Sequence, residues 1–253
     1  MGALDIRETL CDVLGRSLLD VAAVGSVADA FFHDSERISS QVVLRHTCEH
    51  IFRIRMFRPL DSDASRLLTA AHSDVAELWV SYARSEAVHD RYFVRDLRAH
   101  GIEFAELARL EPFPSTLALG RYIREAMRSF GALPVVLYSF WAEMNSEYGT
   151  SPVVRRTAEL FGDETTKGAL AHRHLDVGQD HSMLICEVLA VLLRSKEQIA
   201  VAADVLEGIS QLIGEYFLDL ECWEASLGGT TPEVSPRESV AKYHACYRQP
   251  AVA

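Results

Sequence analysis

Helical periodicity runs through almost the whole chain and constrains its fold more than any other feature. Apolar residues recur every three to four positions from about Leu4 to Trp223, and no segment alternates apolar and polar residues as a strand would. We therefore predict an all-α protein, a bundle of roughly seven to nine helices. We expect a single helical domain over residues 1–227 and a loosely ordered C-terminal tail over residues 228–253.

Local signals set the expected boundaries of three helices that carry polar residues. We predict a helix over about residues 35–57 that Pro59 ends, with a connector around Asp61. A second helix over about 74–101 opens with a capping box and closes at a glycine. A third, unbroken helix covers about 163–194.

Composition and missing motifs exclude several classes of function. The net charge of −11 and the absence of a Lys/Arg-rich run argue against nucleic acid or an anionic membrane as a partner. The five cysteines are scattered without a C-x-x-C pair, and no leader or membrane-spanning run occurs, so we expect a cytoplasmic protein. The chain also lacks a Walker A loop, a G-x-S-x-G elbow and a G-x-G-x-x-G turn. Their absence argues against a nucleotide-hydrolysing enzyme, a serine hydrolase and a Rossmann-type enzyme, respectively.

Polar residues on the apolar side of the predicted helices are the candidate site. Glu86 and His89 lie one turn apart on a stripe that includes Trp79 and Phe93. A Glu-x-x-His pair lets a carboxylate and an imidazole reach one ion from the same helix, as in carboxylate-bridged di-metal bundles. The motif also arises by chance on solvated faces, but an unpaired carboxylate among aromatic side chains would be costly.

Two further predicted helices carry inward polar residues. Glu143, with Glu147 behind it, shares a stripe next to the most aromatic segment of the chain, and a helix with one polar stripe is the less favoured structural alternative. In an unbroken helix, His174 and His181 share the inward face, whereas His172 points outward. Imidazoles at this spacing suit a metal ion.

The structural alternative is that each histidine is a hydrogen-bonded core residue. It is the favoured interpretation for His46 and His50, which lie one turn apart on a partly apolar helix. For the other histidines this alternative weakens if several helices bring carboxylates and imidazoles to one point.

The order and spacing of these residues resemble those of the heme-oxygenase-like di-metal oxidases and oxygenases, the iron-containing relatives of pyrroloquinoline quinone synthase and the thiaminase-like proteins. The resemblance covers about residues 70–220. It implies a heme-oxygenase-like bundle with two iron ions, O₂ as co-substrate, and oxidation of a small amino-acid-like or amine-bearing metabolite. The residues that match ligand positions are Glu86, His89, Glu143, His174 and His181.

One ligand position departs from the family pattern, His-x-x-x-Asp-x-x-His, because Gly178 stands where the aspartate is expected. Asp176 and Asp180 flank this glycine and point outward in an unbroken helix, but a distortion there would turn one of them inward. In another register, His172 and Asp176 supply the pair and a bulge brings His181 round. Without either rearrangement, one iron position lacks a carboxylate ligand, and its iron is bound weakly.

Two other functions stay open beside the diiron enzyme. A metal-free enzyme of the same fold would use histidines and tyrosines to move protons, with Tyr82, Tyr92, His89 and His174 as candidates. A non-catalytic binding protein would keep the inward polar residues without using them. The expected partner is a small-molecule substrate, and a homodimer is left open.

Overall fold

The computed structural model describes residues 2–148, 150–172 and 180–227. All regular secondary structure in these ranges is helical, which confirms the all-α prediction. The residues predicted to form a C-terminal tail, 228–253, lie outside the described ranges. The α-helices in chain order are α1 (Ala3–Ala22), α2 (Ser26–His33), α3 (Ser40–Ala71), α4 (Ser73–Glu86), α5 (Asp90–Ala99), α6 (Phe104–Leu107), α7 (Pro114–Phe130), α8 (Leu133–Tyr148), α9 (Thr150–Phe161), α10 (His181–Leu192) and α11 (Lys196–Ser226). Residues 167–172 are also helical, and two short 3₁₀ turns occur at Ser35–Arg37 and Asp163–Thr166.

Helix α3 does not end at Pro59 as the sequence predicted. It continues to Ala71, so the expected connector around Asp61 is helical. A proline inside a helix removes one backbone hydrogen bond and costs about 3 kcal/mol. Burial of Leu60 and Leu68, which are fully packed in the core, offsets that cost.

The predicted helix over 74–101 is divided into α4 and α5. α4 begins at Ser73 and ends at Glu86, so the expected capping box does not open it. α5 begins at Asp90, whose carboxylate accepts hydrogen bonds from Arg55 and Arg58 of α3. These two bonds anchor the start of α5 against α3. Together with the short α6, this division explains why the described residues contain more helices than the sequence predicted.

The predicted unbroken helix over 163–194 is also wrong. It starts as a 3₁₀ turn, and α10 begins only at His181. Asp180 precedes it with φ +47° and ψ +50°, a left-handed conformation, and its side chain accepts from the Met183 N–H as the N-cap of α10. Aspartate tolerates this conformation and is a favoured N-cap. The helical phase is therefore reset immediately before His181.

The core forms where the long C-terminal helix α11 packs against α1, α7 and α8, and where α10 packs against α8, α1 and α4. Trp79 and Phe140 are the largest fully buried side chains. In the described ranges, no helix combines the length and the apolar character needed to cross a membrane.

Candidate metal centre

Two groups of three possible metal ligands meet inside the bundle and share one residue. The first group is Glu86, His89 and His172, and the second is Glu86, Glu143 and His181. Within each group the potential ligand atoms all lie within 4.8 Å of one another. Glu86 thus stands between two sets of ligands, as a bridging carboxylate does in a di-metal site.

The distances between ligand atoms are close to those expected around a metal ion. Two ligands bound at about 2.1 Å to one ion, at tetrahedral to octahedral angles, lie about 3.0–3.4 Å apart. Oε1 of Glu86 lies 3.0 Å from Nδ1 of His89 and 3.6 Å from Nδ1 of His181. Nδ1 of His181 is 3.4 Å from Oε1 of Glu143. Imidazoles and carboxylates are ligands that suit a first-row divalent ion. Two of the three distances lie in the expected range, and the distance from Glu86 to His181 is slightly longer.

Glu86 and His89 of the Glu-x-x-His pair still lie one turn apart, although α4 ends at Glu86. Ala87 and His89 both keep right-handed helical dihedral angles, and the His89 N–H donates to the Glu86 carbonyl over 3.1 Å. The turn therefore preserves the one-turn separation on which the prediction rested. Glu143 comes from the middle of α8, and His181 is the first residue of α10.

Burial makes these side chains costly unless something compensates them. His89 and His181 are 1% and 2% exposed, and Glu143 is 8% exposed. Taking ionised carboxylates out of water is unfavourable unless they are paired or bind a cation. A divalent ion at each group would supply the compensating charge.

Hydrogen bonds around His181 orient its ring with Nδ1 towards the carboxylates. The Ser85 hydroxyl donates to the Tyr82 carbonyl oxygen at 2.7 Å, and Oγ of Ser85 lies 3.4 Å from Nε2 of His181. Because the hydroxyl proton is directed to the carbonyl, Oγ accepts from Nε2–H. In a neutral imidazole this leaves Nδ1 unprotonated and able to bind a metal.

Tyr82 supports the same group from α4. Its hydroxyl donates to Oε1 of Glu143 at 3.2 Å, and its ring packs edge-on against His181 with the centroids 5.1 Å apart. Burial, followed by the charges of Glu86 and Glu143, raises the pKa of Tyr82 well above its usual value. The hydroxyl therefore stays protonated and holds Glu143 in place as a donor.

The structure brings together four of the residues predicted as ligands: Glu86, His89, Glu143 and His181. It does not bring in Asp180, which is exposed and caps α10. Three other residues in this part of the prediction, His174, Asp176 and Gly178, lie outside the described ranges.

His172 joins the site although the helical stripe placed it on the outward face. Its ring lies 4.2 Å from that of His89, centroid to centroid. The sequence did hold a signal for it, since the alternative register with His172 and a bulge before His181 was open. Asp180, immediately before His181, has a left-handed conformation, so the phase of α10 does not extend back through it.

The other polar residues considered from the sequence do not belong to either group. Nδ1 of His46 is 2.7 Å from the Tyr216 hydroxyl, and the His50 ring packs edge-on against Phe93. Burial, followed by the charge of Arg53, lowers the pKa of His46 to about 3, so its imidazole is neutral at pH 7, and both His46 and His50 line the cavity described below. The side chain of Glu147 lies outside the described residues.

A cavity of about 220 Å³ opens beside the two ligand groups. Glu86, Glu143 and His172 reach it from one side, and aromatic side chains line much of the rest. Among these, the rings of Phe57 and Tyr138 stack with centroids 3.7 Å apart. A largely apolar cavity with a few convergent polar groups is the usual form of a small-molecule site.

Comparison with known proteins identifies the fold. No profile of a known family and no curated protein sequence matches the chain. A domain of unknown function with a heme oxygenase-like fold from Shewanella denitrificans aligns with a TM-score of 0.74 at 15% identity, over 89% of this chain and 96% of that one. A TenA homologue from Pseudomonas syringae pv. tomato aligns with a TM-score of 0.65 at 15% identity, over 86% of this chain and 90% of that one. The chain therefore has a heme oxygenase-like fold, as the sequence predicted.

Proposed function

We propose that this protein is a non-heme diiron enzyme that uses O₂ to oxidise a small amino-acid-like or amine-bearing metabolite. The observation that carries the proposal is the sharing of Glu86 by two ligand groups. One carboxylate between two sets of imidazole and carboxylate ligands is the arrangement of carboxylate-bridged di-metal proteins.

Iron is the metal that best suits these ligands and the expected chemistry. Histidine and carboxylate ligands with open positions favour Fe(II), which when bound supplies the electrons for O₂ activation. His89 and His172 would hold one ion and His181 and Glu143 the other, with Glu86 between them.

The surrounding residues have defined supporting roles in this proposal. Tyr82 fixes the carboxylate of Glu143, and Ser85 fixes the tautomer of His181. Such supporting hydrogen bonds commonly tune metal affinity. The cavity would hold the substrate beside the ligands.

The TenA homologue keeps a metal-free function open as a second candidate, because it has the same fold. In that case the hydrogen-bonded Tyr82 and Glu143 would transfer protons to or from a bound organic substrate. The two functions differ in their dependence on iron.

Oxygen uptake by the iron-loaded protein tests the proposal. The metal-free protein is titrated with Fe(II) without O₂, exposed to O₂, and followed with an oxygen electrode and by optical absorption. We expect iron-dependent O₂ consumption that Glu86→Gln abolishes. Glu77→Gln, which changes an exposed glutamate of the same helix, is the matched control and should behave as the wild type.

Two results would reject the diiron function. One is O₂ uptake by the loaded wild type no faster than by free Fe(II). The other is unchanged uptake in Glu86→Gln. Failure to bind iron at all would favour the metal-free enzyme.

A further inference from the structure

A buried arginine faces the cavity apart from the metal ligands. Arg53 lies on α3, is 7% exposed, and lines the cavity. Its guanidinium carbon sits 4.5 Å from the centre of the Tyr216 ring. The Tyr216 hydroxyl lies 2.7 Å from Nδ1 of His46. Contact with the Tyr216 ring thus positions the guanidinium in the wall of the cavity.

Part of this guanidinium lacks a partner. Nη1 of Arg53 is buried, and no group in the described ranges accepts a hydrogen bond from it. No ion pair joins Arg53 to an acid within the same ranges. Because an arginine is always charged in a protein, a buried one without an anion is costly. An anion from outside the chain would remove that cost.

Glu49, one turn before Arg53 on α3, does not provide the missing charge. One of its oxygens accepts from Arg45 and from the Phe113 N–H, and the other accepts from the Thr116 hydroxyl. The positive charge of Arg53 instead affects the two neighbouring histidines, His46 and His50. After burial, its charge is the next largest cause that lowers the pKa of both His46 and His50.

Tyr138 links this arginine to the metal ligands. Burial raises its pKa to about 12, Arg53 opposes the rise, and Asp61 and Glu86 add to it. Tyr138 lines the same cavity as Arg53 and Glu86, and its ring stacks on Phe57 in the cavity wall. A small molecule lying along these rings would reach from the guanidinium towards Glu86.

We propose that Arg53 binds the carboxylate of a monocarboxylic substrate whose apolar stem lies against Phe57 and Tyr138. A guanidinium can bind a carboxylate through parallel hydrogen bonds, and a single positive charge matches a single negative one. The orientation of the substrate, with its reacting carbon towards Glu86, rests on the proposed function. The carboxylate site itself does not.

Binding of a charged and a neutral probe to the metal-free protein tests this inference. Hexanoate and hexanamide have nearly the same size and differ in charge, and removal of metal prevents hexanoate from binding to iron. By calorimetry we expect hexanoate to bind the wild type roughly 10- to 100-fold more tightly than hexanamide, the usual value of a hydrogen bond to a charged group. Hexylamine should bind more weakly than either.

Variants of two arginines on α3 localise the effect. Arg53→Gln should remove the preference for hexanoate over hexanamide, and Arg53→Lys should keep part of it because the charge remains. Arg66→Gln is the matched control, since Arg66 lies on the same helix with its side chain 74% exposed. It should leave the preference unchanged.

Several outcomes would overturn the carboxylate site. These are equal binding of hexanoate and hexanamide by the wild type, no binding of hexanoate, tighter binding of hexylamine, or a full preference in Arg53→Gln. If Arg53→Gln does not fold, Arg53→Lys with the full preference and wild-type affinity contradicts the proposal. Iron content measured after the same preparations are reloaded with Fe(II) separates the two proposals, because carboxylate binding without iron binding rejects only the diiron function.

Discussion

Two buried polar clusters in this bundle have different partners and, we infer, different purposes. In the Glu49 cluster, the carboxylate is fully buried and accepts from Arg45, the Phe113 N–H and the Thr116 hydroxyl. In the Glu86 cluster, the carboxylate faces the imidazoles of His89 and His181 and shares a ligand group with Glu143.

The difference lies in the donors. A guanidinium, a backbone N–H and a hydroxyl are permanent donors, so both carboxylate oxygens of Glu49 have donors, and these bonds tie α3 to the start of α7. Arg45 also stacks on Phe113, 3.9 Å from its ring centre. An imidazole either donates a proton or binds a metal, depending on its protonation. A cluster of imidazoles and carboxylates is therefore suited to binding a cation rather than to holding two helices together.

The largest expected effect is on the stability of the metal-free protein. Glu49→Gln leaves Arg45 buried without its carboxylate and should lower the free energy of unfolding by about 3–5 kcal/mol. Glu86→Gln should lower it by less than about 1 kcal/mol or raise it, because it relieves the repulsion between two neighbouring carboxylates. Urea unfolding with a chelator at pH 7.5 measures both. Equal losses would remove the distinction between the clusters.

Acid should reveal which imidazoles are neutral core groups. His46 has its pKa lowered from 6.5 to about 3, chiefly by burial, so below pH 6.5 the unfolded chain binds a proton that the folded chain does not. Its contribution to stability is full above pH 6.5 and falls by up to about 1.4 kcal/mol for each pH unit below it.

The variant His46→Gln tests this by urea unfolding between pH 7.5 and 5.0. The amide can still accept from Tyr216 but does not titrate, so the stability of this variant should depend less on pH than that of the wild type. His33→Gln, at an exposed position, should keep the wild-type slope. An unchanged slope in His46→Gln would mean that His46 has the same pKa in the folded and unfolded chain, which would contradict the lowered pKa.

The smallest effect is expected at Ser85, which touches the metal centre only through His181. Ser85→Ala removes the acceptor for Nε2–H, so the tautomer that presents Nδ1 is less favoured. We expect the dissociation constant for Fe(II) to rise by about tenfold, with little change in the stability of the metal-free protein. Ser81→Ala, an exposed serine of the same helix, should have no effect. Equal affinities in the two variants would contradict the assigned tautomer.

The parts of the site that depend on local spacing were predictable from the sequence. Glu86 and His89 are three residues apart, and the turn that separates them keeps helical dihedral angles. Glu143 lies on the inward face of an unbroken helix, α8. The all-α fold followed from periodicity along the whole chain.

The parts that depend on where helices continue or break were not predictable. Each residue turns a helix by about 100°, so one left-handed residue, Asp180, invalidates the phase on either side of it. His172 was therefore placed on the wrong face. At Pro59 the opposite occurred, because tertiary packing kept α3 helical where the local signal favoured an end.

The sequence contains a pattern from which the inward position of Arg53 could have been predicted. It falls on the same stripe of α3 as His46, His50 and Phe57, at spacings of three to four residues. An arginine on an apolar stripe with two histidines indicates a polar cavity or a buried ion pair. The sequence does not distinguish these, because the partner would come from a distant part of the chain.

Counting iron in single-residue variants tests the central claim that Glu86 belongs to two metal sites. Each metal-free protein is loaded with Fe(II) without O₂, desalted, and analysed for iron and protein. We predict about two irons per chain for the wild type and for Glu77→Gln, about one for Glu143→Gln and for His172→Ala, and close to none for Glu86→Gln. A wild type without iron would contradict the account, as would a Glu86→Gln protein that keeps as much iron as Glu143→Gln.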